Sequence, residues 1–478
     1  MKLFVLLLTA FIPSAAAVAQ VADAKPTPQL YSEQTVRNMR EIQRAAASSN
    51  YAYDQTRYMS YNIGPRLSGS PQAARAVEYV ADQMRKLGLE VRLQKCLVPH
   101  WVRGEERGEL VEFVGMAPGT VQKVVLTALG GSVATPPGGI TAEVVVVESF
   151  EELAALGREK VEGKIVLFNF KFDTELQSSG FGGAAYGQAV QFRFGGAMAA
   201  ARFGAVAALN RSAGGSQNRL AHTGSMGYTD GVPKIPGAAV SFEDAETIAH
   251  LAKAGKVKLH LTLTPQTLPD VESYNVIGDL KGTEKPDEVV IVSGHLDSWD
   301  LGQGAIDDAS GVAVSMAVAK LLVDMKIRPK RTIRVIAWMN EENGGRGSAA
   351  YEKEESANIA RHFAAVEADL GASHPLGILF TGKPEIQAFL APITQVLLPQ
   401  GATQTQLQAG GVGADIGPLT RAGVPSFAPW FNQQSYFNYH HTAADTFDKI
   451  DPRQLRELGG VVAVLAYGLA DLQQPLPR

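Results

Sequence analysis

The stretch from Glu288 to Gly311 constrains the fold more than any other part of the sequence. It reads EVVIVSGHLDSWDLGQGAIDDASG. Its β-branched run, Val289–Val292, lies between Pro286 and Gly294 and is typical of a buried strand. From Gly311 onward, apolar residues recur at the spacing of a helix. Because ligands in open α/β sheets bind beyond the carboxyl ends of the strands, we expect the chemistry of this protein in the loop between strand and helix.

Length and composition exclude several classes of protein. The 478 residues exceed one ordinary domain, so two or three domains are expected. The net charge of -4 offers no basic surface, and we predict no nucleic-acid partner. A single cysteine, Cys96, excludes an internal disulfide and argues against a cysteine-based metal site.

The N-terminus predicts export. Lys2 precedes the uncharged run 3–12, and small residues then end in the AVA of positions 17–19. This pattern is typical of a signal peptide, residues 1–19. The alternative is an uncleaved anchor, but the apolar run is shorter than the roughly 20 residues that span a bilayer. We therefore expect a periplasmic or extracellular protein with no membrane association after cleavage.

The pattern of strand-like and helix-like segments in the mature chain changes twice, near residues 108 and 265. Segments 20–107 and 265–478 have α/β patterning, and we predict that together they form a catalytic domain. Segment 108–264, called the insert below, alternates strand-like runs with glycine-rich loops. We predict that the insert is a β-rich domain with one helix in the Ala/Gly-rich run Gly195–Leu209. It contains no cluster of His with carboxylates, so we expect it to shape or shield a site.

Four predicted strands place His or carboxylate residues just past their C-terminal ends. The pairs are 289–292 with His295, 332–339 with Glu341 and Glu342, 363–366 with Asp369, and 424–430 with His440 and His441. Each side chain alone has a plainer explanation as a helix cap or a solvated turn. Their shared position relative to the sheet favours a common site.

These residue types suit a zinc centre. Imidazole and carboxylate ligands without thiolate are typical of catalytic zinc, and two ions sharing one carboxylate would account for five candidates. The candidates are His295, Asp307, Glu342, Asp369 and His441. Two such ions about 4 Å apart can hold one bridging water and lower its pKa. Glu341 then fits the role of general base, and Asp297 can accept the other ring N–H of His295.

Several segments resemble the motifs of the di-zinc exopeptidase superfamily, and within it the carboxypeptidase Q family. They are GHLDSWDLGQGAIDDASG (294–311), NEENGG (340–345), EADLGAS (367–373), HHTAADTFDKIDP (440–452) and, in the insert, DGVPKIP (230–236). The resemblance covers nearly the whole mature chain. It implies an α/β fold, a zinc-exopeptidase-like three-layer sandwich around a mixed sheet, with the insert as a β-rich protease-associated domain.

The resemblance also implies a role for each site residue. Asp307 would bridge two zinc ions, with His295 and Asp369 completing one site and Glu342 and His441 the other. His441 rather than His440 matches the family pattern His-Thr-x-x-Asp-Thr. The other implied roles are Glu341 as general base and Asp297 as the partner of His295. The family further implies a cis peptide between Asp307 and Asp308, and a homodimer.

The resulting hypothesis is a secreted di-zinc exopeptidase that hydrolyses dipeptides or short peptides. A broad aminopeptidase is the alternative within the superfamily, and a receptor-like binding module that has lost its site is the alternative of another class. The intact ligand set argues against the binding module. An α/β-hydrolase would need a Gly-x-Ser-x-Gly motif, which the sequence lacks. Asp415, Tyr436 and Tyr439 are candidates for the substrate pocket, although a purely structural role explains them equally well.

Overall fold

The computed structural model describes residues 30–216 and 218–478. The predicted signal peptide, residues 1–19, lies outside the described residues. The described strands form two eight-stranded sheets. Within the same described ranges, no helix combines the length and the apolar character that a membrane crossing requires.

The strands and helices have the following bounds. The strands are β1 (Glu90–Val102), β2 (Glu106–Glu112), β3 (Gln122–Val124), β4 (Leu126–Ala128), β5 (Ile140–Val147), β6 (Ile165–Phe168), β7 (Ala207–Arg211), β8 (Gly237–Val240), β9 (Lys258–Leu263), β10 (Gln266–Leu280), β11 (Lys285–His295), β12 (Arg331–Trp338), β13 (His362–Glu367), β14 (Pro375–Thr381), β15 (Gln404–Leu407) and β16 (Ser426–Phe431). The helices are α1 (Glu33–Ala46), α2 (Tyr51–Tyr58), α3 (Pro71–Lys86), α4 (Phe150–Val161), α5 (Thr174–Leu176), α6 (Gly182–Arg202), α7 (Phe242–Ala254), α8 (Ser310–Asp324), α9 (Arg346–Glu355), α10 (Ile386–Leu397), α11 (Gly417–Arg421), α12 (Tyr436–Tyr439) and α13 (Pro452–Asp471).

The first sheet is mixed, in agreement with the predicted fold class. Its strand order is β1-β10-β12-β11-β13-β16-β14-β15. The central strand β11 contains the predicted run Val289–Val292 and is parallel to both of its neighbours, β12 and β13. Parallel neighbours end at the same edge of a sheet. The loops that follow β11, β12 and β13 therefore meet there.

Helices cover both faces of this sheet, which gives three layers. In β11, Val290 and Val292 pack into a core with α1, α3, α8, α10 and α13. Val289 and Ile291 point to the other face and pack with Tyr351 of α9 and the short helix α11. When both faces of a strand are buried, its sequence is a continuous apolar run, and β11 was recognisable in the sequence for this reason. Helix α13 begins at Pro452, with the Asp451 side chain accepting hydrogen bonds from the first turn.

Strands β2 to β9 form the second sheet, in the order β3-β2-β9-β5-β6-β7-β8-β4. The prediction of one helix in this region was wrong. Three helices of ten or more residues, α4, α6 and α7, pack on the sheet, and the predicted helical run Gly195–Leu209 divides between α6 and β7. Strands β5, β6, β7 and β8 are parallel, and parallel strands need crossover connections. Helices α4 and α7 begin at serine N-caps that are visible in the sequence. Ser149 and Ser241 each accept a hydrogen bond from the backbone N–H three residues later.

The two sheets are joined directly beside the loop that follows β11. Arg103, which links β1 to β2, donates to both carboxylate oxygens of Asp300 at 2.8 and 2.7 Å and also donates to the carbonyl of Ala128. Trp299 packs into the core of the second sheet. Gly130 is required there, because a Cβ at that position would lie 1.9 Å from the Trp299 ring. The insert is thereby held against the edge of the first sheet where the loops meet.

Candidate metal centre

Five predicted ligands converge at the carboxyl edge of the first sheet. His295 is the last residue of β11, and Asp369 follows β13 by two residues. His295 Nε2 lies 3.0 Å from Asp307 Oδ1 and 3.6 Å from Asp369 Oδ1. His441 Nε2 lies 2.9 Å from Glu342 Oε2 and 3.3 Å from Asp307 Oδ2. Asp307 is thus placed between the two histidines, with one carboxylate oxygen toward each.

The peptide bond between Asp307 and Asp308 is cis, as the resemblance implied. The side chain of Asp308 turns toward the backbone: its Oδ2 accepts from the N–H of His295 at 3.0 Å and its Oδ1 from the N–H of Gly311 at 2.9 Å. Asp308 also lies close enough to His295 and Asp369 to share a cation with them. No role for Asp308 was predicted from the sequence.

His440 and His441 stack on each other, with ring centroids 3.6 Å apart. His440 Nε2 approaches Asp307 Oδ2 at 3.6 Å, whereas His441 contacts both Asp307 and Glu342. These contacts favour His441 as the ligand that shares an ion with Glu342. A group of Asp307, His440 and His441 is also compact enough for a metal ion, so the choice of His441 stays a prediction.

The residues fit a bound cation. Asp307 Oδ2 and Glu342 Oε1 are buried and have no hydrogen-bond partner among the described residues. Together with Trp299 and His441 they line a cavity of about 10 Å³. That space is about one water molecule in size. A buried carboxylate oxygen without a partner is costly, and a cation in this space would remove the cost.

The electrostatics of the site agree with this interpretation. Burial, reinforced by neighbouring carboxylates, raises the pKa of Asp307 and Glu342 above its ordinary value. The pKa of Glu341 rises to about 8, chiefly through burial and then through the charges of Asp369 and Asp307, although His295 opposes the shift. Burial lowers the pKa of His441, and His440 adds to this effect. The site thus concentrates carboxylates where only protons or a metal can neutralise them, and it keeps His441 neutral, as a metal ligand must be.

Asp297 faces His295 with its backbone and the end of β12 with its side chain. Its backbone carbonyl, not its carboxylate, lies 3.0 Å from His295 Nδ1. The carboxylate instead accepts from the N–H groups of Asn340, Glu341 and Glu342 at 2.7, 3.1 and 3.4 Å. The side chain of Asp297 is thus directed toward the end of β12 and not toward the His295 ring. Asp297 therefore positions the segment that contains the proposed base and one proposed ligand.

The insert holds His441 from the other side. His441 Nδ1 lies 3.2 Å from the carbonyl oxygen of Thr223, and the N–H of Thr223 donates to the carbonyl of His441 at 2.9 Å. With a metal at Nε2, Nδ1 would carry the proton and donate to the Thr223 carbonyl, which would hold the ring orientation. Arg193 Nη1 lies 3.3 Å from the Thr223 carbonyl oxygen and 3.3 Å from His441 Nδ1. His441 has φ 61°, a left-handed conformation that a non-glycine residue rarely adopts.

Two further residues, for which no role was predicted, support the loop that follows β11. The Asp445 carboxylate accepts from the N–H groups of Ala305 and Ile306, each at 2.8 Å. Arg66 is fully buried and donates to the carbonyls of Gly64 and of residues 296, 303 and 304. Asp445 lies within the motif HHTAADTFDKIDP, so the motif held a signal for it. No sequence pattern predicted the roles of Arg66, Thr223 and Arg193, because these roles depend on contacts between distant segments.

The three candidate pocket residues do not lie together. Tyr436 and Tyr439 line a cavity of about 60 Å³ that also contacts Leu370, next to Asp369 in sequence. Asp415 is only 2% exposed, and both of its carboxylate oxygens lack partners among the described residues. It is packed beside Glu367, which accepts from the N–H of Asp415 at 3.3 Å. Asp415 is therefore not placed to line a pocket with the two tyrosines, whose role in substrate binding stays a prediction.

Comparison with known proteins gives consistent matches. The model of Peptidase family M28 matches residues 275–466. The chain is 39% identical to carboxypeptidase Q of Mus musculus over 90% of its length and 87% of that protein. A crystal structure of a peptidase M28 precursor from Shewanella amazonensis superposes with a TM-score of 0.86 at 35% identity, covering 93% of this chain and 99% of that one. An aminopeptidase from Aneurinibacillus sp. strain AM-1 shares the fold, with a TM-score of 0.65 at 22% identity over 92% of this chain and 98% of that one.

Proposed function

Because the chain belongs to peptidase family M28 and is a zinc-dependent peptidase similar to carboxypeptidase Q, we propose that it is an exopeptidase with two zinc ions that hydrolyses dipeptides or short peptides. The observation that carries the proposal is the position of Asp307 between His295 and His441. One carboxylate oxygen faces each imidazole, which is the arrangement that a shared ligand needs.

Five side chains would hold the ions. His295 and Asp369 lie on the Oδ1 side of Asp307, and Glu342 and His441 lie on the Oδ2 side. Bound zinc would lower the pKa of a water held between the two ions and polarise the peptide carbonyl. The protein's own residues supply the orientation: Asp297 positions Glu342 through the backbone, and Thr223 orients the His441 ring.

Glu341 is the proposed general base. It precedes Glu342 in the same turn, and its N–H donates to Asp297 at 3.1 Å, so its position is set independently of the metals. Its carboxylate would take the proton from the attacking water and deliver it to the leaving amine. The raised pKa of Glu341, about 8 without metals, favours proton uptake; nearby cations would lower it toward the working pH.

The type of substrate is proposed from the similar proteins described above. Carboxypeptidase Q is the relative with the greatest similarity among those reported above, and by that similarity we propose a free C-terminus on the substrate. We further propose that the protein is exported after loss of residues 1–19 and that it forms a homodimer. The insert, residues 108–264, would be a protease-associated domain between the catalytic segments 20–107 and 265–478. Membership of a peptidase family argues against the binding-module hypothesis.

One experiment tests the proposal. Zinc content is measured together with hydrolysis of three compounds: a free dipeptide, the same dipeptide blocked at its N-terminus, and an aminoacyl anilide. Two zinc ions per chain with cleavage of only the free dipeptide would support the dipeptidase. Cleavage of the anilide would instead make the protein a broad aminopeptidase.

A matched pair of variants ties activity to the site. His441→Ala should lose zinc and turnover, whereas His374→Ala should retain both. His374 is 45% exposed in its side chain and pairs with Glu457, outside the ligand group. Full activity in the zinc-free protein, or equal activity in the two variants, would contradict the proposed metal centre.

A further inference from the structure

A groove of about 650 Å³ opens beside the metal centre at Asp369. Its walls come from residues 180–184 of the insert, from the loop 410–414, and from strands β14, β15 and β16. The volume lies in the range of small-molecule binding sites. The groove therefore joins a proposed zinc ligand to a space large enough for an amino-acid side chain.

The lining of the groove is apolar or neutral except at Asp369. Phe181, Leu379, Val412 and Trp430 provide apolar surface, and three glutamine side chains provide neutral amides. Among the described residues that line the groove, none is Lys, Arg or His. A substrate carboxylate would lose water there without gaining a cation, whereas an apolar side chain would gain by burial.

Phe181 is the exposed aromatic residue on the rim, and the chain on either side of it is anchored. Its exposed fraction is 53%, unusually high for a phenylalanine. Gln177 Nε2 donates to the carbonyl of Gln434 at 2.6 Å, and the N–H of Gly183 donates to Gln433 Oε1 at 3.0 Å. The insert segment is thus tied to the catalytic domain before substrate arrives. Anchoring the chain on both sides of Phe181 reduces the backbone entropy that this segment would lose on binding a ligand.

We infer that this groove binds a large apolar or aromatic side chain of the peptide substrate, and that Phe181 of the insert sets the preference. The inference rests on the proposed function, because it requires a peptide at the metal centre. It assigns the insert a direct contact with substrate. It also predicts that acidic side chains are poorly accepted in the groove, since no Lys, Arg or His among the described lining residues would offset their loss of water.

The test compares three free dipeptides, Ala-Ala, Phe-Ala and Ala-Phe, with the zinc-loaded full-length protein. The wild type should prefer one of the two Phe-containing dipeptides over Ala-Ala, which identifies the residue seated in the groove. In Phe181→Ala, the ratio of kcat/KM for that dipeptide to kcat/KM for Ala-Ala should fall about tenfold, and Phe181→Leu should recover part of the ratio.

The control is Phe194→Ala. Phe194 lies on α6, is also 53% exposed, and is not among the residues lining the groove, so this variant should keep the wild-type ratio. An unchanged ratio in Phe181→Ala, or an equal fall in Phe194→Ala, would overturn the assignment of the groove. Failure of the wild type to cleave any of the three dipeptides would overturn the proposed function itself, and the two failures are therefore distinguishable.

Discussion

Replacing Asp297 by Asn tests how the active-site segment is held. The Asp297 carboxylate accepts four hydrogen bonds: Oδ1 from the N–H groups of Asn340 and Glu341, and Oδ2 from the N–H of Glu342 and the hydroxyl of Ser68. Asparagine has one acceptor oxygen where aspartate has two. Its best orientation keeps the oxygen toward Asn340 and Glu341 and turns the amide N–H toward Ser68, whose hydroxyl can accept.

The expected loss of free energy follows from these four hydrogen bonds. The two retained bonds change from charged to neutral acceptors, which costs about 1 kcal/mol each, and the N–H of Glu342 loses its acceptor, which costs about 1–3 kcal/mol. The total is about 3–5 kcal/mol. These bonds position both the proposed base and a proposed ligand. If about 3 kcal/mol of the loss falls on the transition state, kcat/KM decreases about a hundredfold, at roughly 1.4 kcal/mol per factor of ten.

The assay is kcat/KM on a free dipeptide together with zinc occupancy from anomalous diffraction. Because the Asp297 carbonyl that faces His295 is unchanged in Asp297→Asn, occupancy should fall at the Glu342–His441 position and persist at the His295 position. Asp279→Asn is the control: Asp279 is also buried but pairs with Arg334 in the body of the sheet. A loss of less than threefold in Asp297→Asn, or zinc lost first from the His295 position, would refute this account of the carboxylate.

Three further predictions concern the same site. Glu341→Gln should lower kcat by about 10²–10⁴-fold with both zinc ions retained, as measured by metal analysis and steady-state kinetics; surviving activity would exclude Glu341 as the base. His440→Ala should retain more zinc and more activity than His441→Ala in chelator competition, and the reverse order would move the ligand by one residue. The metal-free protein should become less stable in denaturant as pH rises from about 5 to 8, because burial raises the pKa of Glu341 to about 8 and that of Glu367 and Asp445 to about 7. The folded state then holds protons that the unfolded chain has already released, so the free energy of unfolding falls with rising pH; a rise instead would contradict the burial of these carboxyls, and zinc should reduce the decline.

The insert contributes more to the site than its composition indicated. It has no cluster of His with carboxylates, yet its Thr223 carbonyl meets His441, and the hydroxyl of Ser225 donates to the carbonyl of Glu342 at 2.7 Å. These contacts agree with the expectation that the insert shapes the site. They link the two sheets at the metal centre, so a change in the insert can alter ligand geometry without touching a ligand.

The sequence by itself determined the local units of the catalytic fold. Strand β11 was recognisable because both of its faces are buried, and α13 because Asp451 and Pro452 mark its start. Four of the five candidate ligands, all but Asp307, could be listed because each follows a predicted strand, and strand ends are set by short-range patterns. Two helices of the insert, α4 and α7, were not predicted, although Ser149 and Ser241 mark their starts.

Only the tertiary structure decided which atoms meet. Asp297 directs its carbonyl to His295 and its carboxylate to the turn after β12, a choice that depends on side-chain direction and not on sequence spacing. Asp415 is buried beside Glu367, and Thr223 reaches His441 from 218 residues away in the chain. Periodicity records which face of an element is buried, but it holds no information about which distant loop covers that face. That information arises when the two sheets pack together.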